Sequence, residues 1–175
     1  WQSAQYFADA GADIRKCFAF RQPPTGRDAE LAADMRGCDS VSVHIRRGDY
    51  VQNKGANAFH GICDWDYYDA AVAAVLQARS DAKFFVFSDD PEAALQRYGH
   101  DTRFTVISHN SGAQSYKDMM LMSLCKHHII ANSSFSWWGA WLGQSEAQTV
   151  IAPRVWSVGS PEPIEDIYID NWTRI

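Results

Sequence analysis

Ser40-Val41-Ser42-Val43-His44-Ile45-Arg46-Arg47-Gly48-Asp49-Tyr50 alternates apolar with polar residues as far as Arg46, the period-two signature of a strand. Val41, Val43 and Ile45 share one face, and Ser42, His44 and Arg46 share the other. Arg46 and Arg47 therefore emerge at the carboxyl end of that strand, before a glycine able to take a tight turn. In open α/β sheets ligands bind at that end. Two guanidiniums there point to an anionic ligand, because the planar fork matches phosphate oxygens bidentately. The plain alternative is a pair of solvated surface arginines.

Working outward, 175 residues make one domain of ordinary size, able to bury a real core. Hydrophobic residues at 46% and charged residues at 21% give a globular composition rather than a disordered one. A formal net charge of −5 argues against a broad nucleic-acid footprint, so any anion site must be local. No apolar run approaches the roughly 20 residues that span a bilayer, and no signal peptide opens the chain. Trp1-Gln2-Ser3-Ala4-Gln5-Tyr6-Phe7, with no initiator Met, reads as the middle of a protein. Cys17, Cys38, Cys63 and Cys125 form no Cys-x-x-Cys pair, which suggests reduced thiols in a cytoplasmic protein. Cys125-Lys126-His127-His128 lacks a second ligand cluster of suitable spacing, so zinc is not expected.

Arg21-Gln22-Pro23-Pro24-Thr25-Gly26 is the clearest breaker cluster. It divides an N-terminal helical or linker segment, 1–26, from a Rossmann-like domain over 27–175. Helices are predicted over 27–35, 64–77, 91–98, 116–125 and 134–143. Strands are predicted from about Ser40 and over 83–88, 104–107, 127–131 and 149–152. Asp64 suits an N-cap, with Tyr68, Ala71, Val72 and Val75 along one helical stripe. Phe84-Phe85-Val86-Phe87 is apolar on both faces, as a central parallel strand requires. Beyond Pro153 the tail reads as irregular. The strand–helix alternation predicts an α/β fold, a Rossmann-like three-layer sandwich with a mostly parallel sheet. Strand order does not follow from the pattern.

In such a sheet the segments after the strands converge on one rim. After the first strand come Arg46, Arg47, Gly48 and Asp49; after the second, Ser88, Asp89 and Asp90; after the fourth, Asn132-Ser133-Ser134-Phe135-Ser136, opening straight into a helix. A helix amino terminus with free N–H groups suits an anion, although Ser133 or Ser134 could equally be a plain N-cap. Asp90-Pro91 fits a cap with Pro at the first helical position, and Asp89 and Glu92 have capping-box spacing, so both aspartates read as mainly structural. Ser115-x-x-Asp118 also resembles a capping box; alternatively the Asp118 carboxylate offers the acceptors that guanine's N1–H and exocyclic amine require. Trp138 and Trp141 fit a core stripe, while Trp137 is open between core and sugar platform.

Taken together, Val43-His44-Ile45-Arg46-Arg47-Gly48-Asp49-Tyr50-Val51, Phe85-Val86-Phe87-Ser88-Asp89-Asp90, Asp118 through Cys125 and Asn132 through Leu142 resemble the bacterial α-1,2-fucosyltransferases, glycosyltransferase family 11. The resemblance runs over nearly the whole chain. It implies half of a GT-B-type enzyme that uses GDP-L-fucose, needs no metal or other cofactor, and inverts the fucose anomeric carbon. It implies that Arg46 and Arg47 hold the donor phosphates and that Ser133, Ser134 and Phe135 match the phosphate-contacting turn. Asp118 falls where the guanine-reading carboxylate lies, and His44 near ribose or phosphate. The acceptor it suggests is the 2-hydroxyl of a galactose in a surface glycan such as lipopolysaccharide O-antigen, the full-length enzyme being cytoplasmic or peripheral at the inner membrane. The family's Gly-Gly-Leu-Gly-Asn-Gln motif, from an acceptor-side domain, does not occur here. The chain is thus expected to be a donor-binding half with little activity of its own.

Chemically, breaking the fucose C1–O bond leaves negative charge on GDP, which arginines favour more than the ground state. Asp49 is the expected base for the acceptor hydroxyl, with a salt bridge to Arg47 as its alternative role. A non-catalytic nucleotide-sugar or glycan-binding module is the competing class. The chain has neither the Gly-x-x-x-x-Gly-Lys-Ser/Thr of a P-loop NTPase nor a Gly-x-Gly-x-x-Gly after the first strand for nicotinamide.

Overall fold

A computed structural model describes residues 3–48, 61–143, 145, 147–159 and 165–175. Its sheet has six strands: β1 Ser40–Ile45, β2 Lys83–Ser88, β3 Phe104–Ile107, β4 His127–Ile129, β5 Val150–Ala152 and β6 Thr173–Arg174. Every pairing is parallel, in the order β3-β2-β1-β4-β5-β6. The chain winds outward from β1 through β2 to β3, then returns to place β4 on the other side of β1. That reversal is the topological switch point, where open sheets leave a crevice at the strand ends.

Among the described residues a 3-10 helix, Ala4–Ala10, and two α-helices, α1 Gly11–Cys17 and α2 Arg27–Gly37, precede β1. The crossovers are α3 Trp65–Ala78, α4 Pro91–Tyr98, α5 Tyr116–Leu124 and α6 Ser134–Trp141. Asp64 caps α3 as predicted, its Oδ1 accepting from the Tyr67 N–H at 2.8 Å, and Tyr68, Ala71, Val72 and Val75 are all buried. These residues pack with Ala94 and Tyr98 of α4 against Val41, Val43, Ile45, Phe84 and Val86. On the opposite face Leu31, Ala32 and Met35 of α2 and Leu121 and Met122 of α5 cover Phe85, Phe87 and Ile107. The Rossmann-like three-layer sandwich is therefore present.

All six residues of β1 are buried, so its alternation separates two covered faces rather than core from solvent. The polar face is satisfied in part across strands, where Ser42 Oγ lies 2.8 Å from His128 Nδ1. The tail needs a correction. Thr173–Arg174 adds a sixth strand beside β5, framed by Arg154 N–H to Ile175 O at 2.8 Å and Ile175 N–H to Ala152 O at 3.1 Å. Two exposed residues carry no periodicity, and only the neighbouring strand makes them a strand.

The N-terminal segment packs on α6. Phe7 and Phe18 lie on the Trp138 ring at 5.7 Å and 4.8 Å, with interplanar angles of 18° and 6°. Trp137, left open by sequence, is the most deeply buried of the three tryptophans and donates its indole N–H to Ile167 O at 2.7 Å. It is a core residue. Trp141 is buried and Trp138 half-buried within the same cluster.

The buried histidines make stability pH-dependent. Desolvation pulls His44 down to about 4 and, aided by neighbouring His127, His128 down to about 3. An unfolded histidine titrates near 6.5, so below that the unfolded chain binds protons that the native state refuses. Stability is then lost as pH falls from about 6.5 toward 4. Asp118, raised to about 6, works in the opposite direction, but it is one group against two. The thermal midpoint is expected to drop by roughly 3–8 °C between pH 7.5 and pH 5. Scanning calorimetry across that range checks this, and a midpoint rising on acidification would contradict it.

Candidate functional site

The switch point brings the paired-arginine turn and the serine-rich helix mouth side by side. Ring centroids of His44, near the end of β1, and Phe135, in the first turn of α6, are 5.5 Å apart. A cleft of about 360 Å³ opens there, within the range of small-ligand sites. Its walls include His44 in β1 and Arg46 just after it, Ser88 at the end of β2 and Asp89 just after it, Asn110 and Ser111 after β3, Asp118 in α5, and Phe135.

Asp89 organises the arginine turn. Its Oδ1 accepts the Arg47 backbone N–H at 2.8 Å, and its Oδ2 lies 3.3 Å from Arg46 Nε. It does not form the capping box that its spacing with Glu92 suggested. Asp90 does cap α4, accepting from the Ala93 N–H at 3.1 Å with Pro91 at the first helical position. Gly48 also lies against Asp89. Its φ is not positive; instead a Cβ there would sit 3.0 Å from Asp89 Oδ2 and 3.3 Å from the Asp89 carbonyl oxygen. A side chain there would crowd Asp89, so the glycine leaves room for that carboxylate.

The two arginines part company. Arg46 lines the cleft, whereas the Arg47 guanidinium lies over the Trp65 ring of α3, 4.8 Å from its centroid. Asp49 falls outside the described residues.

At the helix mouth, Ser133 has extended backbone and makes no side-chain cap bond, so the plain capping reading does not hold for it. Ser134 is the exposed first helical residue, and Ser133 is buried behind it. The first-turn N–H groups of a helix have no intrahelical partners, which leaves them to a ligand or water. Of the expected contacts, His44, Arg46, Asp118 and Phe135 line the cleft, whereas Arg47, Ser133 and Ser134 are not among its lining residues. His44 is buried and neutral, and its Nδ1 has no hydrogen-bond partner.

Asp118 makes no capping box, since Ser115 gives its hydroxyl to Gly112 O at 2.9 Å. Asp118 Oδ1 accepts instead from Asn110 Nδ2 at 2.8 Å. Desolvation raises this carboxyl to about 6, with the Asn110 hydrogen bond offsetting part of the rise. Asn110 is a site residue that the sequence reading missed, although the signal was available. His109-Asn110-Ser111-Gly112 follows the third strand, and the rim logic applied to the first, second and fourth strands covers it equally.

Among the described residues no cluster of three His, Cys, Asp or Glu side chains is placed to hold a metal ion, and no helix is long and apolar enough to cross a membrane. Comparison with known proteins agrees with the motifs. The model of glycosyl transferase family 11 matches residues 21–175. The chain is 39% identical over 178 residues to an alpha-1,2-colitosyltransferase of Escherichia coli, covering 100% of this chain and 60% of that protein. It is 38% identical over 137 residues to the O-antigen biosynthesis glycosyltransferase WbnK of Escherichia coli, covering 78% and 45%. The chain thus spans about half the length of these relatives. Among solved structures, the NodZ alpha-1,6-fucosyltransferase soaked with GDP-fucose aligns over 79% of this chain and 59% of its own, at 15% identity and a TM-score of 0.40. With the family's model fitting everything from the breaker cluster to the last strand, the chain belongs to glycosyltransferase family 11.

Proposed function

We propose that this chain is the GDP-fucose-binding half of a GT-B-type inverting α-1,2-fucosyltransferase that delivers L-fucose to the 2-hydroxyl of a galactoside in a surface glycan. The observation that carries the reading is the adjacency of Arg46 and His44 to Phe135 and the opening of α6, across the switch point of a parallel sheet. In this reading the diphosphate lies between Arg46 and the first turn of α6. Arg47 contributes from the rim, and Ser133 and Ser134 present the helix mouth. Asp118 takes the guanine edge, and neutral His44 lies by the ribose or the phosphates. Asp49 accepts the proton of the acceptor hydroxyl as fucose passes to it with inversion. The positive field of arginines and helix N–H groups takes up the charge left on GDP, so no metal is called for. At about 4 Å a charge pair is worth about 1 kcal/mol in water but about 4 kcal/mol at an effective dielectric near 20, so water exclusion from the cleft sets much of the rate.

Calorimetry with GDP, followed by a transfer assay with GDP-fucose and a galactoside, tests the proposal. GDP binding by the chain, together with a fucosylated product from the full-length enzyme, supports it. Binding of free oligosaccharide without GDP affinity would instead favour the glycan-binding module. The 39% identity to a colitosyltransferase is reason to run a colitosyl donor in parallel, since the same cleft would serve either sugar.

A further inference from the structure

We infer that Asn110, held by buried Asp28, is a positioning residue that gives the cleft its selectivity for a nucleobase with adjacent N–H donors. The inference rests on the reading of Asp118 as the base-facing carboxylate. Asn110 Nδ2 has two hydrogens, and both are used. One goes to Asp118 Oδ1 at 2.8 Å and the other to Asp28 Oδ1 at 3.1 Å. Asp28 projects from α2 with its side chain only 4% exposed, and it also takes His109 Nε2 at 2.7 Å, with Lys117 Nζ 3.9 Å away. Burial would push the Asp28 carboxyl up, but the bonds from Asn110 and His109 outweigh it and hold the group below its ordinary value, hence charged.

Two carboxylate oxygens facing one amide fix its orientation, because a flipped amide would set its own oxygen against both. The amide in turn fixes the Asp118 carboxylate, one oxygen of which is anchored by a neutral donor rather than a cation. Its charge is not spent on an internal ion pair, and Asp118 still faces the cleft. Such a carboxylate accepts well from guanine, whose N1–H and 2-amine lie side by side. Hypoxanthine offers only N1–H, and adenine presents an acceptor at N1, which the carboxylate repels. Rejection of the analogue that lacks the donor is characteristic of sites built around a buried polar group.

The experiment is calorimetric titration of the chain with GDP, IDP and ADP, for wild type, Asn110→Leu, Asn110→Asp and Asp28→Asn. Wild type is expected to rank GDP over IDP over ADP. Asn110→Leu is expected to lose about tenfold in GDP affinity with ADP unchanged, collapsing the GDP-to-ADP ratio. Asn110→Asp, which replaces the donor with a like charge at nearly the same volume, is expected to do the same and carries the test if the leucine variant does not fold. Asp28→Asn weakens the acceptor that holds Asn110 and is expected to lower the GDP-to-ADP ratio, though by less than the Asn110 variants; an unchanged ratio would remove Asp28 from the positioning role. Equal losses for GDP and ADP in the Asn110 variants, or no loss at all, would overturn the positioning role. A wild-type protein that binds GDP and ADP alike would sink the guanine reading of Asp118 itself, a failure visible before any variant is made.

Discussion

Arg46→Ala is expected to weaken GDP binding about 10- to 100-fold and, in the full-length enzyme, to reduce transfer at saturating donor further still. Hydrogen bonds between charged groups are worth about 1.5–3 kcal/mol, and each 1.4 kcal/mol is about tenfold. Two losses coincide at this position. On the proposed reading the diphosphate loses a guanidinium in the cleft wall, and Asp89 is left with the Arg47 N–H but without the Arg46 side chain, a negative charge that would face an anionic ligand. In the proposed reaction charge on GDP grows as the C1–O bond breaks, so the transition state is expected to suffer more than the ground state. Arg46→Lys is expected to recover part of the affinity, since a point charge replaces the bidentate fork. Arg47→Ala is expected to cost less, because that guanidinium rests on Trp65 rather than in the cleft. Calorimetry with GDP ranks the three variants. Equal losses at both alanines would mean that Arg47 leaves Trp65 to engage the ligand, and an unchanged Arg46→Ala would remove the phosphate assignment.

Trp137→Ala is expected to have the largest effect on stability, about 3–5 kcal/mol, within reach of the whole folding free energy of a domain. Trp137 is fully buried, with Trp141 stacked at 6.4 Å and Trp172 tilted at 5.9 Å, in the cluster that joins α6 to β5 and to the tail. Truncation opens a cavity and orphans the Ile167 carbonyl, whose partner is the indole N–H. The thermal midpoint should fall by roughly 6–20 °C, while Trp137→Phe, which keeps the ring but not the donor, should fall less. A midpoint within about 2 °C of wild type would mean that the tail does not depend on this anchor.

Much of this was legible before any coordinates. Phe84-Phe85-Val86-Phe87 announced a doubly covered strand, Asp64 and Asp90-Pro91 announced two caps, and each lies where the pattern placed it. Following strand ends into their turns pointed to Arg46 and Phe135, and the family motifs pointed to His44 and Asp118; all four line one cleft. Elsewhere local pattern misled or fell silent. Asp89 had the spacing of a cap but spends both oxygens on the arginine turn, a contact between β1 and β2 that sequence separation hides. Gly48 suggested a turn, and the room it leaves for Asp89 could not be read from the sequence. Ser133 suggested a cap and makes none.

By itself the sequence determined the α/β class, nearly all the helices and strands, and the motifs of family 11, because periodicity, caps and motif spacing are local properties of the chain. Tertiary structure alone decided that β4 lies beside β1, that Arg46 enters the cleft while Arg47 turns to Trp65, and that Asp28 reaches Asp118 through Asn110. Those are contacts between residues distant in the chain, and only the packing of the helices and the order of the strands brings them together.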